Sequence, residues 1–496
     1  MDVRLEPWLP GQLPQHPHVP LLWILPPLQT PDLASWWERA LQPFGVQPDQ
    51  FPLSKQLRFY ADGRYQALQV TLPHYTVEHL RRGVYYALRK AEEVGWPEVQ
   101  LIWLQPPGTS NEEDFWQALA EMALMSLYRF TKYAAEPPKT VEKITILAPT
   151  SAKSSIERGL IIGESVNMAR DWVNEPPNVL TAEELAHRIA ATGQEAGFSV
   201  EIWDKARIEA EKMGGLLAVN RGSLNPPTFT VAEYRPANPV NHKPIVLVGK
   251  GLVFDTGGLS LKPTPDSMDY MKCDMAGAAA VVGALRAAAL LKLPFHLVAL
   301  VPATDNRPGE NAYTPNDIIR LYDGTPVEIR NTDAEGRLIL ADALAYARRY
   351  NPAFVLDFAT LTGAAALAVG PYASVLFTNA GETIRDALLE AGWATYERLV
   401  EFPLWEEYGH LIKSDIAAIK NSAGREAGAI TAAKFLEYFV RYPWAHIDIA
   451  GTAFLTKPVP PERGFPRHYQ VKYASGVGVR LTVAFLMRHG ERLFGG

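Results

Sequence analysis

The chain has 496 residues, 47% hydrophobic and 21% charged, which is enough to bury a large core and suggests two or more domains. A net charge of −6 gives no support for general nucleic-acid or anionic-membrane binding, although a local basic patch would not show in the total. The one cysteine, Cys273, excludes an intrachain disulfide and suits a reducing cytosol.

Near the N-terminus, residues 19–28 are apolar but broken by prolines and lack a basic flank, so they read as a strand and turn, not a signal peptide. No run reads as long and apolar enough to span a membrane, and the expectation is a soluble, cytoplasmic protein. Residues 1–150 alternate strands and helices and read as an N-terminal α/β domain with an assembly or accessory role. Residues 64–72 and 98–104 have the β-branched and aromatic content of strands; residues 77–94 and 112–130 carry apolar positions at helical spacing. Glu136-Pro-Pro-Lys breaks the pattern, and residues 143–147 form a last strand. A helix over 154–173 follows and stops before Asn174-Glu-Pro-Pro-Asn178, where prolines forbid its continuation. Residues 151–178 are therefore the expected connector, and 179–496 a second, larger α/β domain.

That domain has a βαβ rhythm. Residues 244–248 are a continuous apolar run, as in a strand buried on both faces; 276–291 read as a helix, 296–301 as a buried strand, 337–350 as a helix and 354–358 as a strand. The pattern predicts a mixed central sheet flanked by helices. Acidic residues then fall just after strands or just before helices, the edge of an open α/β sheet where ligands bind. Lys250-Gly-Leu-Val-Phe-Asp255-Thr-Gly-Gly, Lys262, Met271-Lys-Cys-Asp274 and Asn331-Thr-Asp333-Ala-Glu335-Gly-Arg337-Leu338 supply four carboxylates, two lysines and an arginine. Four carboxylates carry about −4, which balances two divalent cations, and hard oxygen ligands at that density suit a dinuclear site.

Singly, each residue has a plainer role. Asp-Thr-Gly-Gly is most often a turn, and an aspartate before a helix most often caps it. A lone lysine is usually solvated, and Arg337 could simply pair with an acid. The set as a whole, with Asn331 to Leu338 behind the Asp255 and Asp274 loops, resembles the leucyl aminopeptidase family of cytosolic exopeptidases. Segments around Asn167–Pro177, Met213–Val219, Thr360–Gly363, Asn421–Ala433 and Trp444–Gly451 also resemble it, so the likeness runs from about Ser154 to the C-terminus.

The resemblance implies that Lys250, Asp255, Asp274 and Glu335 hold one metal ion and Asp255, Glu335 and Asp333 the other. Zinc or manganese is expected, with cobalt or magnesium also suited to the donors. A water or hydroxide between the ions attacks the scissile carbonyl, Lys262 stabilises the oxyanion, and Arg337 holds a bicarbonate-like anion that moves the proton. Met271, Thr360, Leu361 and Gly363 would line the substrate pocket. Peptides with a free N-terminus, preferably apolar, are the implied substrates, and a homohexamer the implied assembly. His446 and Asp448 tempt a metal reading, but alternation on a strand favours structural roles.

Other chemistries fit poorly. Gly249-Lys250-Gly251 lacks the spacing of a phosphate-binding loop, no Gly-x-Ser-x-Gly occurs, and none of the 11 histidines forms His-Glu-x-x-His. Two alternatives remain open at this level: a DNA-binding regulator or scaffold of the same family, and a dipeptidase preferring Cys-Gly-like substrates.

Overall fold

The computed structural model describes residues 1–9, 12–16, 18–26, 57–61, 66–104, 111–456 and 472–495. The chain forms two compact units, one within Met1–Asn167 and one within Met168–Lys457 and Lys472–Gly496, so the division falls inside the helix Lys153–Asn174.

The first unit is built on a six-stranded sheet. Its strands are β1 (Asp2–Pro7), β2 (Leu21–Leu25), β3 (Leu57–Ala61), β4 (Gln66–Thr71), β5 (Glu98–Trp103) and β6 (Lys143–Ala148), in the order β1-β6-β5-β2-β4-β3. Only β3 runs antiparallel to its neighbour. The apolar run near the N-terminus is thus β2, an interior strand buried along its whole length. The 77–94 helix forms as read, started by the Thr76 side chain on His79 N–H and stopped by Gly95 at φ +84°. The 112–130 helix instead ends at Met125; Leu127 and Phe130 keep its spacing but lie beyond its last turn.

In the second unit the main sheet joins β7 (Ser199–Trp203), β8 (Thr228–Tyr234), β9 (Ile245–Gly249), β10 (Gly251–Asp255), β11 (Leu297–Asn306), β14 (Phe354–Ala359), β15 (Ser374–Thr378), β16 (Leu399–Glu401) and β18 (Trp444–Asp448). A small sheet of β12 (Ile318–Arg320), β13 (Pro326–Glu328) and β17 (Ile419–Lys420) lies apart from it. The long order is β16-β15-β18-β14-β9-β11-β8-β7, with β10 paired to β11, and the sheet is mixed as expected. Its centre is parallel: β18, β14, β9, β11 and β10 all run the same way. Five carboxyl ends therefore open on one edge, the place where an α/β sheet presents ligand-binding residues.

Three expectations change. Asp255 is the last residue of β10, not part of a loop after β9. The strand begun at 296 runs on to Asn306, past the proline at 302, and so reaches the same edge. Met268–Leu290, a 3₁₀ segment followed by a helix, is long and apolar enough to cross a membrane, contrary to the reading of the sequence. It is 94% buried over its most apolar window, which makes it the central helix of this unit's core. Gly277 lets that helix touch the sheet: an added Cβ would lie 2.0 Å from the Phe358 carbonyl oxygen.

A fully buried carboxylate ties the helix Gly336–Ala347 to its surroundings. Asp342 accepts from Leu216 N–H at 2.9 Å and Tyr322 N–H at 2.8 Å. Burial pushes its pKa up to about 7, although these backbone donors and Gly215 oppose the shift. The fold then holds a proton that the unfolded chain releases above 3.8, so this group's stabilisation falls as pH rises toward about 7 and is level beyond it. Thermal midpoints of wild type and Asp342→Asn between pH 5 and 8 test this. The wild type should lose ground to the variant up to about pH 7 and then run parallel to it; a constant gap contradicts the assignment.

Candidate metal centre

The five parallel strand ends carry the site. Lys250 sits between β9 and β10, Asp255 ends β10, Asn306 ends β11, Thr360 follows β14, and Asp448 ends β18. Asp274 arrives on the 3₁₀ segment Met268–Met275, and Asp333 and Glu335 on the turn before the helix Gly336–Ala347. Neither Asp274 nor Glu335 caps its helix: the cap positions are Met275 and Glu335 itself, and neither makes a side-chain cap bond. The plain capping roles are excluded.

The acids converge instead. Ligand oxygens of Asp255, Asp333 and Glu335 lie within 4.8 Å of one another. Lys250 Nζ is 2.7 Å from Asp274 Oδ2 and 3.1 Å from Glu335 Oε1, and donates to the Thr360 carbonyl at 3.0 Å. Lys262 Nζ is 2.8 Å from Asp255 Oδ2 and also pairs with Asp333. Lys250 is buried, not solvated. Burial opposes its charge, yet the carboxylates of Asp274, Glu335 and Asp255 together raise its pKa well above the ordinary lysine value. Lys262 is likewise raised, against burial, by Asp255, Glu335 and Asp333.

The acids respond in the opposite sense to their crowding. Burial, joined by the charges of Asp255 and Glu335, pushes Asp274 up to about 7 despite Lys250. Burial and the charges of Glu335 and Asp255 push Asp333 up to about 7 despite Lys262. Cys273 is buried, and burial pushes its thiol up to about 12, which suits an inert apolar side chain.

The donor set fits divalent cations. Four carboxylates face a space shared by two ammonium groups, and the buried Glu335 Oε2 has no hydrogen-bond partner. A buried anionic oxygen left unpaired is what a metal ion would satisfy. Glycines make the convergence sterically feasible. Gly257 has φ +83°, and a Cβ there would meet Asp333 Oδ1 at 2.8 Å; a Cβ on Gly336 would meet Lys250 Nζ at 2.6 Å.

Arg337 is buried beside this cluster. Its Nη1 donates to the Asn421 carbonyl at 2.7 Å, its Nε is unpartnered, and it makes no ion pair among the described residues. Burial lowers its pKa to about 10 against the pull of Glu335, Asp448 and Asp333. Thr360 Oγ1 donates to Asp274 Oδ1 at 2.6 Å, while Leu361 and Met271 are half-buried and Gly363 is exposed at the start of the helix Gly363–Val369. His446 is fully buried on β18 with Nδ1 2.5 Å from Asp357 Oδ1.

Asn306 and Tyr313, which help hold the loops, carry no signal in the sequence, whereas Thr332 and Asn421 fall in segments that carry the family resemblance without a role read for them. Asn306 Nδ2 donates to Asp255 Oδ1 at 2.9 Å and to the Thr332 carbonyl at 3.0 Å, and Tyr313 donates to that carbonyl at 2.7 Å. Thr332 Oγ1 donates to Gly257 O and accepts from Ser260 N–H, joining the two ligand loops. Asn421 accepts from the N–H groups of Arg330 and Asn331 and donates to the carbonyls of Asn331 and Ala334.

Residues 167–483 match the catalytic domain of the cytosol aminopeptidase family. A probable cytosol aminopeptidase of Roseiflexus castenholzii is 46% identical over 378 residues, 74% of this chain and 75% of that relative. One of Chlorobaculum tepidum is 46% identical over 391 residues, 75% of each. Among solved structures, the bottromycin maturation enzyme BotP in complex with Mn is similar at a TM-score of 0.82 and 30% identity, covering 94% of this chain and 98% of its own. With its carboxylate cluster at the sheet edge and relatives of this likeness, the chain belongs to the cytosol aminopeptidase family and is a hydrolase acting on peptides.

Proposed function

We propose that this aminopeptidase removes N-terminal, preferably apolar residues such as leucine, with two divalent cations per chain. The observation that carries the reading is the meeting of buried Asp255 and Glu335 with half-buried Asp333 beside the Lys250–Asp274 pair. Lys250, Asp255, Asp274 and Glu335 would hold one ion, and Asp255, Glu335 and Asp333 the other, with Asp255 and Glu335 shared. Bound cations supply Lewis acidity, acidifying a water and polarising the scissile carbonyl. Zinc and manganese suit these donors, with cobalt and magnesium as alternatives; the Mn complex of BotP supports manganese.

The chain's own residues divide the remaining work. Lys262 is the more accessible lysine, its side chain 14% exposed against 3% for Lys250, so it is the one a substrate oxygen can reach. Its ammonium stabilises the oxyanion as charge develops. Every nearby carboxylate is committed to a cation or a lysine, which leaves no free base. Arg337, with an unpartnered Nε at the start of a 12-residue helix, would hold a bicarbonate-like anion, which would supply the base for the attacking water and the acid for the leaving amine. Met271, Thr360, Leu361 and Gly363 border the substrate, and the exposed Leu259 and Leu261 after β10 and Leu367 on the helix Gly363–Val369 favour apolar side chains. A cytoplasmic homohexamer, measurable by light scattering, completes the proposal. The acidic balance favours peptides over DNA. A panel of aminoacyl-p-nitroanilides and Cys-Gly, assayed with each metal, separates the leucine-preferring reading from a dipeptidase.

Prolonged chelation should abolish hydrolysis and Zn²⁺ or Mn²⁺ restore it, with two ions per chain by elemental analysis. Asp255→Asn or Glu335→Gln should weaken at least one ion; two retained ions and unaltered turnover in both variants would sink the shared-ligand assignment. Lys262→Ala should lower kcat by about 10²–10³ with a smaller change in KM. A raised KM at constant kcat would make Lys262 a docking residue instead. Bicarbonate should stimulate the wild type in carbonate-depleted buffer, and Arg337→Ala should lose that response while keeping both ions. Equal stimulation of both proteins contradicts the role given to Arg337.

A further inference from the structure

Asp448 lies at the end of β18 with only 1% of its surface exposed, and it touches none of the candidate metal ligands directly. Its Oδ1 accepts from Leu361 N–H and from Ala450 N–H, each at 3.1 Å. Its Oδ2 accepts from the Thr362 hydroxyl at 2.7 Å. The same hydroxyl accepts from Ala365 N–H at 3.0 Å and so caps the helix Gly363–Val369. One carboxylate thus fixes two successive residues, Leu361 and Thr362, immediately after Thr360.

Thr360 is where this scaffold meets the candidate metal centre. Its carbonyl accepts from Lys250 Nζ at 3.0 Å and its hydroxyl donates to Asp274 Oδ1 at 2.6 Å. Lys250 and Asp274 are the two ligands assigned to one ion only. The loop carrying Asp333 and Glu335 is held by different groups, Asn421 and Thr332. Resting on the dinuclear reading above, we infer that Asp448 is a positioning residue for the Lys250–Asp274 metal position alone, acting through Leu361, Thr362 and Thr360.

A carboxylate is required for the task. All three groups that hydrogen-bond to it are donors, and a carboxylate accepts at both oxygens, whereas an amide accepts at one and donates at the other. Asp448→Asn keeps size and shape but turns a donor toward the Thr362 hydroxyl, or toward the two N–H groups. The loop then shifts, and Thr360 presents its carbonyl and hydroxyl less well to Lys250 and Asp274. Loss of such a supporting bond costs about 10–100-fold in metal affinity.

The experiment titrates Mn²⁺ into metal-stripped full-length protein and resolves the two binding steps, with the thermal midpoint of the metal-free protein measured alongside. Asp448→Asn should weaken one ion by about 10–100-fold and leave the other unchanged. Thr360→Val, which removes the hydroxyl on Asp274 without altering shape, should weaken the same ion. The double variant should lose less than the sum of the two, because both act on one contact. Thr362→Ser should retain both ions and Thr362→Val should not, which gives a second route if Asp448→Asn fails to fold. Equal weakening of both ions, or wild-type binding of both with only a lowered midpoint, makes Asp448 a structural residue and overturns the inference. Fewer than two ions in the wild type overturns the dinuclear reading itself, a result read without any variant.

Discussion

Four carboxylates drawn out of water into one small space are the constraint on which this structure turns. Like charges about 4 Å apart repel by about 4 kcal/mol at the effective dielectric of a protein surface, and burial adds to the cost. The strain shows in Asp274 and Asp333, both pushed up to about 7. Two ammonium groups offset part of it: Lys250 lies between Asp274 and Glu335, and Lys262 between Asp255 and Asp333. Four negative and two positive charges still leave two formal negatives before Arg337 is counted. Arg337 meets Asn421 rather than an acid, so it compensates only through space.

Such a cluster needs a rigid frame, and the parallel centre of the sheet provides it. Because β9, β10, β11, β14 and β18 share one direction, the long crossovers between β10, β11, β14 and β18 return the chain to one edge each time. Each ligand-bearing loop is then fastened by a buried polar side chain. Asn306 and Thr332 hold the loop after β10, Asn421 holds residues 330–334, and Asp448 holds the turn after β14. Satisfied buried networks of this kind specify one geometry, since every bond broken leaves a desolvated group behind.

The sequence revealed the ligand candidates more readily than the frame. Asn331 to Leu338 and the Asp255 and Asp274 loops are short local patterns, so they could be read directly. The strand ending at Gly249 and the one ending at Ala359 were legible because strands buried on both faces are continuously apolar. β10 is hard to read because only Lys250 separates it from β9 and a glycine stands on each side, and strands so close read as one strand and a loop. β11 reads as ending at Val301, since Pro302 and the polar Thr304, Asp305 and Asn306 look unlike a strand; Pro302 nevertheless pairs with β8 and the polar residues with β10. Asn421 and Asp448 act across 84–91 residues of chain, and no local pattern announces such a bond. The capping roles that Asp274 and Glu335 suggest singly are set aside by the cluster: local spacing points to a local bond, while their partners come from other strand ends.

Lys250 shows how far the surroundings decide what a residue does. Taken alone it would be a surface lysine, and taken as a buried side chain it would shed its proton, since burial disfavours the ammonium. Here three carboxylates outweigh that penalty and hold the proton in place. Gly336 makes room for the amine, because a Cβ there would lie 2.6 Å from Nζ. A cation taking the place of the proton among the same oxygens would reverse the balance and favour the neutral amine. Were Lys250 a metal ligand, as proposed above, uptake of metal and release of a proton would be two sides of one exchange at a single buried position.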